Sequence, residues 1–493
     1  MASIVVLGAG LNGLSTAMLL ARDGHDVTVL ERDPQPPADR CTPAAAGAAW
    51  DSWERRGVTQ FRFLHLMLPR WCRIVERELP EVLDELAALG APPLNVVANL
   101  PEEVSGGWRD GDEQFGTFAA RRPVLETAFA RCADAQPGVT VRRGAAVTGL
   151  LRRADGADSS IPEIDGVLTE GGEVVRADLV VDASGRRSPI VRWLEAAGCA
   201  APAEERAEAG LVYYARYFRG RDGATPAAVA PLLQHHESVS ILTLPADNDT
   251  WGVGFIAAAS DRDLRPLREV ERWEAALSLY PTAAHWADGD PLTPVEVIAG
   301  LEDRRRRFVV DGTPVATGVV VVGDAWACTN PSLGRGASIG LLHSCALRDI
   351  VREVGLAPAD REALVRRFDE VTERDVTPYY EATAQFDRHH LAQLDADIAG
   401  RPYEPEDPTW AIAKAMEVSA TRDPDSLRAW LRLVCVLALP DEVLGEPGVL
   451  ERIIELGADG PRHPLPGASR RELLGVLGAG APEPRPATAV IIQ

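Results

Sequence analysis

The amino-acid sequence predicts an α/β fold with α+β insertions: a parallel sheet that the chain leaves and re-enters, an inserted antiparallel lobe and a C-terminal helical region. A strand, a glycine-rich turn and a helix open the chain at residues 3–22. Apolar runs typical of buried parallel strands return at 174–181 and 319–322. Between these runs, residues 211–259 alternate in polarity and are rich in aromatic side chains, which is typical of antiparallel strands.

The glycine spacing after the first strand indicates a dinucleotide site. Ser3–Leu7 is followed by GAGLNG at 8–13, and a second strand over 26–30 ends in Glu31. Glycines at this GxGxxG spacing permit a tight turn, a close approach of pyrophosphate to the backbone, and packing of the next helix on the strand. A carboxylate at Glu31 can accept the hydroxyls of an unphosphorylated ribose, which favours FAD or NAD over NADP. A glycine-rich turn with a surface glutamate is the alternative interpretation.

The composition is that of a globular protein without a nucleic-acid partner. Hydrophobic residues make up 46% of the 493-residue chain, charged residues 25%, and the formal net charge is −22. Such a charge repels a polyanion, and only residues 304–307 form a basic run, so nucleic acid is disfavoured. The seven cysteines show no CxxC spacing, which argues against disulfides and metal and for a reducing cytoplasm. Without a leader or an apolar run of about 18 residues, we expect neither secretion nor a membrane span.

The remaining segments differ in pattern. A helical stretch over 51–89 and a polar one over 92–116 interrupt the nucleotide domain, which resumes with an amphipathic helix over 121–134. Beyond about 358 the chain reads as helices with Pro/Gly breaks. The predicted nucleotide-binding domain is discontinuous and comprises residues 1–50, 117–190 and 300–357. The predicted substrate lobe with the antiparallel sheet comprises residues 51–116 and 191–299. The predicted C-terminal helical region comprises residues 358–493.

Three motifs follow one another along residues 1–355. GAGLNG with Glu31 is the first, DASGRRSP at 182–189 is the second, and GDAWACTNPSLGRG at 323–336 is the third. In this order they resemble the FAD-dependent monooxygenase superfamily of the para-hydroxybenzoate hydroxylase and squalene epoxidase type. The resemblance implies an FAD-binding Rossmann-like domain of the glutathione-reductase type.

The resemblance gives residues of the third motif a role in FAD binding. Asp324 is expected to hydrogen-bond the ribityl chain. Gly334, Gly336 and the backbone around Ala337 are expected to meet the N1 and O2 edge of the isoalloxazine. A helix that starts near Gly336 would stabilise negative charge at this edge, because its first N–H groups are free and its dipole is positive there.

Two arginines complete the expected cofactor site. Arg122 in RRPVLE matches the family's R-x-x-L pattern and is expected to reach the FAD, in preference to Arg121. Arg70 in LHLMLPRW resembles an arginine that faces flavin or pyrophosphate. A solvated helix-end charge or a surface salt bridge is the alternative for these arginines. The full set expected to bind FAD is Gly8, Gly10, Leu11, Asn12, Gly13, Glu31, Arg32, Arg70, Arg122, Val147, Asp182, Gly323, Asp324, Pro331, Gly334, Gly336 and Ala337.

The chain departs from the family pattern at three points. Ala327 stands where many members carry a histidine. Asp182 is followed by Ala183 and Ser184 instead of a glycine, which leaves the electron source open between NAD(P)H acting directly and a partner flavin reductase. Halogenases of this superfamily use an early lysine and a WxWxIP motif, and neither is found here, since the only lysine is Lys414.

The implied function is an FAD-dependent monooxygenase that hydroxylates or epoxidises an apolar small molecule of secondary metabolism, polyketide-like or terpenoid-like, with O2. The resemblance implies a flavin C4a-hydroperoxide as the oxygen donor. No metal is expected, and the enzyme is expected to be a monomer or a homodimer. The alternatives are a geranylgeranyl-reductase-like alkene reductase, a flavin halogenase, and a non-enzymatic binding protein on the same fold, as in the GDP-dissociation inhibitors.

Catalytic residues are not identified by any motif, but three side chains are candidates for the substrate pocket. His65 lies in the apolar stretch FRFLHLMLPR, and Trp326 lies in the third motif. On the strand LVYYARYF, Tyr214 and Phe218 share one face and Tyr213 and Tyr217 the other, and one face is expected to line the pocket. Packing in the core is the alternative for each. Cys328 has no neighbouring base and is interpreted as a small packing residue.

Overall fold

The computed structural model describes residues 1–34, 50–55, 57–154, 161–208, 210–221 and 223–478. Its nucleotide domain contains the predicted parallel sheet, with the strands in the order Val319–Val321, Leu179–Asp182, Ser3–Leu7, Asp26–Glu31 and Val139–Arg143. The predicted strand over 174–181 is split. Its exposed first part, Val174–Arg176, pairs antiparallel with Ile164–Thr169, which in turn pairs with Val147–Arg152.

Helices cover the parallel sheet and bury its apolar side chains. The helices Leu11–Arg22, Arg122–Ala135 and Gly336–Val354 contribute to one core with the strands. In the described part of the predicted helical stretch over 51–89, the longer helices are Pro69–Glu78 and Pro80–Ala88, each of which begins at a proline. Both pack into the nucleotide core, although the predicted division assigns them to the substrate lobe. The domain boundaries otherwise stay a prediction.

The inserted lobe is an antiparallel sheet, as predicted. Its strands lie in the order Leu233–His235, Val239–Pro245, Thr250–Ala258, Leu211–Arg219 and Asp290–Pro291, and Glu296–Ile298 also pairs with Leu211–Arg219. One face, with Tyr214 and Phe218, packs on the helix Val270–Leu277. The opposite face, with Tyr213, contacts Phe63 of the first insertion.

The rest of the described chain consists of short elements and the C-terminal helices. Pro93–Asn95 pairs with Gly116–Phe118, and Val309–Val310 pairs with Thr313–Pro314. In a third small sheet, Glu302–Arg307 pairs with both Ala203–Glu208 and Ala327–Cys328. Two short helices are Glu102–Ser105 and Ile190–Ala196. The C-terminal helices are Arg361–Val371, Thr377–Ile398, Pro408–Ala420, Pro424–Val434, Pro440–Leu444, Val449–Gly457 and Arg470–Leu477.

Parts of the predicted domains lie outside the described residues, at 35–49, 155–160 and 479–493. Among the helices of the described ranges, none is both long and apolar enough to cross a membrane. The same ranges contain no group of three or more His, Cys, Asp or Glu side chains arranged to hold a metal ion.

Candidate active site

A cavity of about 1070 Å³ runs from the carboxyl ends of the parallel strands to the lobe sheet. Its nucleotide end is at a position typical of cofactor sites in wound α/β folds. Thirteen of the residues expected to bind FAD line this cavity: Gly8, Gly10, Leu11, Asn12, Glu31, Arg32, Arg122, Val147, Asp324, Pro331, Gly334, Gly336 and Ala337.

The three glycines of the first motif have different structural roles. Gly8 has a φ of +97°, and a methyl group there would lie 2.9 Å from the carbonyl oxygen of Ala183. A methyl group on Gly13 would overlap the carbonyl oxygen of Gly8, so Gly13 lets the helix lie against the turn. A methyl group on Gly10 would meet no protein atom within 4 Å. The space beside Gly10 is therefore open for a ligand, as the close approach of a pyrophosphate requires.

The third motif forms the opposite wall of the nucleotide end. The turn Gly323–Ala325 follows the strand Val319–Val321 and places Asp324 at the cavity. Within the described ranges, the Asp324 carboxylate has no hydrogen-bond partner, so it is free to accept hydroxyl groups. Gly334, with a φ of +66°, leads into the helix Gly336–Val354, whose first N–H groups have no partner within the helix. A free carboxylate and free N–H groups at one cavity suit the hydroxyl-rich chain and the electron-rich ring edge of a flavin.

Comparisons with known proteins agree with this geometry. Residues 3–93 match the family model described as FAD dependent oxidoreductase (DAO). Protein Rv3254 of Mycobacterium tuberculosis (strain ATCC 25618 / H37Rv) is 28% identical over 367 residues, which cover 70% of this chain and 72% of that protein. The nucleotide end of the chain is thus similar to that of FAD-dependent oxidoreductases.

Solved structures show that the chain shares its fold with a hydroxylase and with a flavin-dependent brominase. OxyS anhydrotetracycline hydroxylase from Streptomyces rimosus matches with a TM-score of 0.53 and 18% identity, over 89% of this chain and 76% of that one. The flavin-dependent brominase Bmp2 matches with a TM-score of 0.57 and 15% identity, over 92% and 98% of the two chains. The fold is therefore shared by enzymes of different reactions.

Glu31 is held by protein groups at the nucleotide end. Its Oε2 accepts the N–H of Ala9 at 2.7 Å and an Arg55 guanidinium N–H at 2.8 Å, and its Oε1 accepts the N–H of Asp33 at 2.9 Å. Arg55 also pairs with Asp33 at 2.8 Å and with Glu126. Burial opposes the charge of Arg55, but Glu126, Glu31 and Asp33 raise the pKa of its guanidinium above the ordinary value.

Sequence analysis missed Arg55. Its carboxylate partners lie 22, 24 and 71 positions away along the chain, so no local motif connects them. A charged residue within the predicted first insertion was the only signal in the sequence.

The arginines predicted to reach FAD lie in different places. Arg122 lines the cavity, where its Nε donates to Glu126 Oε1 at 2.7 Å. Arg121 is buried and binds Asp247. Arg70 does not line the cavity, which corrects the prediction. Its guanidinium instead donates to the carbonyl oxygens of Val436 and Leu437, each at 2.7 Å, and so fastens the first insertion to the C-terminal helices.

Three further residues of the predicted FAD set lie behind the cavity wall. Asp182 is fully buried, and its carboxylate accepts hydrogen bonds from Ser184, at 2.9 Å from the N–H and 2.6 Å from the hydroxyl, and from Ser188. Burial raises the pKa of Asp182, although these hydrogen bonds oppose the shift. Asp182 thus shapes the second motif rather than lining the cavity. Gly13 and Gly323 likewise act through packing, Gly323 against the side chain of Asn12.

His65 lines the cavity, but Tyr214 and Trp326 do not. The Nδ1 of His65 is 2.8 Å from the carbonyl oxygen of Phe63 and therefore carries the proton, which leaves Nε2 as an acceptor. Burial and the charge of Arg122 lower the pKa of His65 to about 3, so the ring is neutral.

Tyr214 lies on the face of the lobe sheet that packs away from the cavity, beneath Trp273, which donates its Nε1–H to the Tyr214 carbonyl at 3.0 Å. Trp326 is 4% exposed and packs on His343, with ring centroids 4.6 Å apart. Both pocket predictions are wrong, because strand periodicity and a motif position do not determine which side faces the ligand. Cys328 is buried, and burial raises the pKa of its thiol to about 11, as expected of a packing residue.

The end of the cavity away from the nucleotide is an apolar chamber. Its position is set by Leu64, which packs closely over the sheet where Gly252 and Gly254 leave room for it. Polar side chains enter the chamber only at a few points, among them His235, His389 and Glu417. The apolar side chains that define the chamber are Phe63, Leu64, Leu233, Leu242, Leu244, Phe386, Trp410 and Met416.

Proposed function

We propose that the protein is an FAD-dependent monooxygenase that hydroxylates or epoxidises an apolar small molecule, polyketide-like or terpenoid-like, of secondary metabolism. The observation that carries the proposal is the continuous cavity, which connects the nucleotide end to an apolar chamber with few polar groups. Cavities of this size and lining are typical of sites that bury most of a small ligand. The fold shared with the hydroxylase OxyS supports the same reading.

The residues of this chain would hold FAD by its polar parts. The turn around Gly10 would leave room for the pyrophosphate, Asp324 would accept ribityl hydroxyls, and the free N–H groups at the helix start near Gly336 would stabilise negative charge on the ring. Bound FAD supplies the reduction of O2 and the transfer of one oxygen atom. The apolar chamber would exclude water, which protects such chemistry from wasteful hydrolysis. The neutral His65 would offer one hydrogen-bond acceptor beside the ring.

The electrons would come from NAD(P)H, either at this chain or through a partner flavin reductase. Anaerobic mixing of the FAD-loaded protein with NADPH or NADH distinguishes the two routes. Bleaching of the flavin absorbance by the purified protein alone indicates direct reduction, whereas bleaching only after addition of a flavin reductase indicates a partner.

Product mass tests the reaction. The FAD-loaded protein is supplied with NADPH, a flavin reductase, 18O2 and a panel of polycyclic phenols and terpenes. A product that gains one 18O atom is expected. A gain of two hydrogens would instead indicate an alkene reductase, and a halogenated product in the presence of bromide or chloride would indicate the reaction class of Bmp2. Protein that binds no added FAD would contradict the proposal.

A further inference from the structure

A hydrogen-bonded cluster stands in the otherwise apolar chamber wall. His235 Nδ1 lies 2.8 Å from the hydroxyl of Ser240, and that hydroxyl lies 3.3 Å from His390 Nε2. On the facing C-terminal helix, Lys414 forms an ion pair with Glu417 Oε2. His235 and Glu417 line the cavity. The hydrogen bonds therefore join the lobe sheet to the helix Thr377–Ile398, and the Lys414–Glu417 ion pair lies opposite them on the helix Pro408–Ala420.

The hydrogen bonds of the cluster determine which atoms are left for a ligand. A serine hydroxyl donates one hydrogen, so it donates to one histidine and accepts from the other. The arrangement in which His390 donates to Ser240 and Ser240 donates to His235 Nδ1 places a proton on His235 Nε2. That N–H then faces the Glu417 carboxylate, which is the electrostatically favoured choice. Burial and the charge of Lys414 lower the pKa of His235 well below its ordinary value, so the ring is neutral.

His235 Nε2 and Glu417 Oε1 are 3.9 Å apart, which is too far for a hydrogen bond. Neither atom has a hydrogen-bond partner in the described part of the chain. One oxygen atom placed about 2.8 Å from both would accept from His235 and donate to Glu417. A hydroxyl group meets both requirements, whereas a ketone or an ether has no hydrogen to donate.

We propose that His235 and Glu417 bind a hydroxyl group of the substrate, while the apolar chamber holds the remainder of the molecule. The inference rests on the proposed function only in taking the chamber as the substrate site. Phe386 packs beside His235, with its ring 6.0 Å from the imidazole, and Leu242 and Met416 line the same cavity. In apolar surroundings a hydrogen bond to a charged group discriminates strongly, because its loss leaves Oε1 of the Glu417 carboxylate without a hydrogen bond while Oε2 keeps the ion pair with Lys414.

The test compares 2-naphthol with its methyl ether, 2-methoxynaphthalene, on the FAD-loaded protein without NAD(P)H. Binding is followed by quenching of tryptophan and flavin fluorescence. The naphthol should bind at least about tenfold more tightly than the ether. His235→Phe and Glu417→Gln should each reduce this ratio to near one, with the affinity for the ether kept. His25→Phe, at a histidine that does not line the cavity, is the control for a histidine substitution and should keep the ratio.

Equal binding of the two probes by the wild-type protein, or no binding of 2-naphthol up to its solubility limit, would overturn the proposal. A ratio that survives in both variants would overturn it as well. Flavin content and thermal unfolding of each variant establish that it is folded, and Glu417→Gln keeps the shape of the side chain if His235→Phe does not fold. Binding is measured without turnover. A clear preference for the hydroxyl probe, combined with no oxygenated product, would therefore contradict the proposed monooxygenase reaction but not the proposed hydroxyl site.

Discussion

Arg121 and Asp247 join the nucleotide domain to the lobe sheet through a charge pair from which water is excluded. The side chains are 1% and 0% exposed, and Arg121 Nη2 lies 2.6 Å from Asp247 Oδ2. The Nε of Arg121 lies 3.1 Å from both carboxylate oxygens, and its backbone N–H donates to Oδ1 at 2.8 Å. Arg121 precedes the helix Arg122–Ala135, and Asp247 lies between two strands of the lobe. The pair thus sets the orientation of the lobe over the nucleotide end.

Asp247→Ala should lower the free energy of unfolding by about 3–5 kcal/mol, because it leaves the Arg121 guanidinium buried and unpaired. Urea unfolding followed by circular dichroism measures the change. Glu353→Ala, which removes an exposed partner of Arg367, is the control and should cost less than about 1 kcal/mol. Equal losses in the two variants would contradict the structural role of the buried pair.

Gly10→Ala should separate FAD binding from folding. The added methyl group meets no protein atom, so stability without FAD should be unchanged or up to about 1 kcal/mol higher. The methyl group enters the space left for the pyrophosphate, so the Kd for FAD should rise at least about tenfold. Flavin fluorescence titration and urea unfolding provide the two measurements. Gly149→Ala, also in open space but in a strand away from the turn, should leave FAD binding unchanged.

Asp324→Asn should weaken FAD binding by about tenfold to a hundredfold, because a charged acceptor at the cavity becomes a neutral amide. The far-ultraviolet circular dichroism spectrum should stay the same. Asp84→Asn, at an exposed position on the helix Pro80–Ala88, tests for a general charge effect. An unchanged Kd in Asp324→Asn would mean that this carboxylate does not contact the cofactor.

Arg55→Met should destabilise the protein by about 3–5 kcal/mol, since Glu31, Asp33 and Glu126 would be left as neighbouring buried carboxylates. Adding Glu126→Gln should recover part of this loss by removing one of the repelling charges. The double-mutant cycle in urea measures the coupling. Additive effects of the two substitutions would show that Arg55 and Glu126 do not interact energetically.

His343 should make stability depend on pH. Burial lowers its pKa to about 3, below the ordinary value of 6.5, so below pH 6.5 the unfolded chain binds a proton that the folded protein does not. The free energy of unfolding should therefore fall as the pH decreases from 6.5 towards 3, by up to about 1.4 kcal/mol per pH unit for this residue.

His343→Gln keeps a polar group near Thr372, 3.0 Å from the histidine Nε2, but does not titrate. Urea unfolding at pH 8, 6, 5 and 4 should give a shallower decline for the variant than for the wild type. Parallel curves would contradict the contribution of His343. The wild-type and variant curves should run parallel above pH 7, where the histidine is neutral in both states.

The sequence predicted most of the nucleotide end because its elements are local. The GxGxxG turn, Glu31 and the helix start at Gly336 each lie within a short stretch whose backbone requirements are visible in the residue types. The position of Asp324 followed from the order of the motifs. These residues line the cavity as a set.

The parts of the site that the sequence did not predict depend on contacts between segments that are far apart along the chain. The period of a strand shows that Tyr213 and Tyr214 face opposite ways, but only the packing of Phe63 on one face decides which of them is nearer the cavity. The position of Arg70 could not be predicted for the same reason, because its partners are backbone carbonyls near residue 436, which have no signature in the sequence.

The ion pair of Lys414 has a practical consequence for chemical labelling. Because the chain has a single lysine, an amine-selective acylating reagent has only two targets, this side chain and the N-terminus. The ammonium of Lys414 is mostly buried and held by Glu417, so its acylation requires the wall to separate transiently. The extent of modification at one peptide, read by mass spectrometry, would therefore report how often the chamber opens and whether a bound ligand keeps it shut.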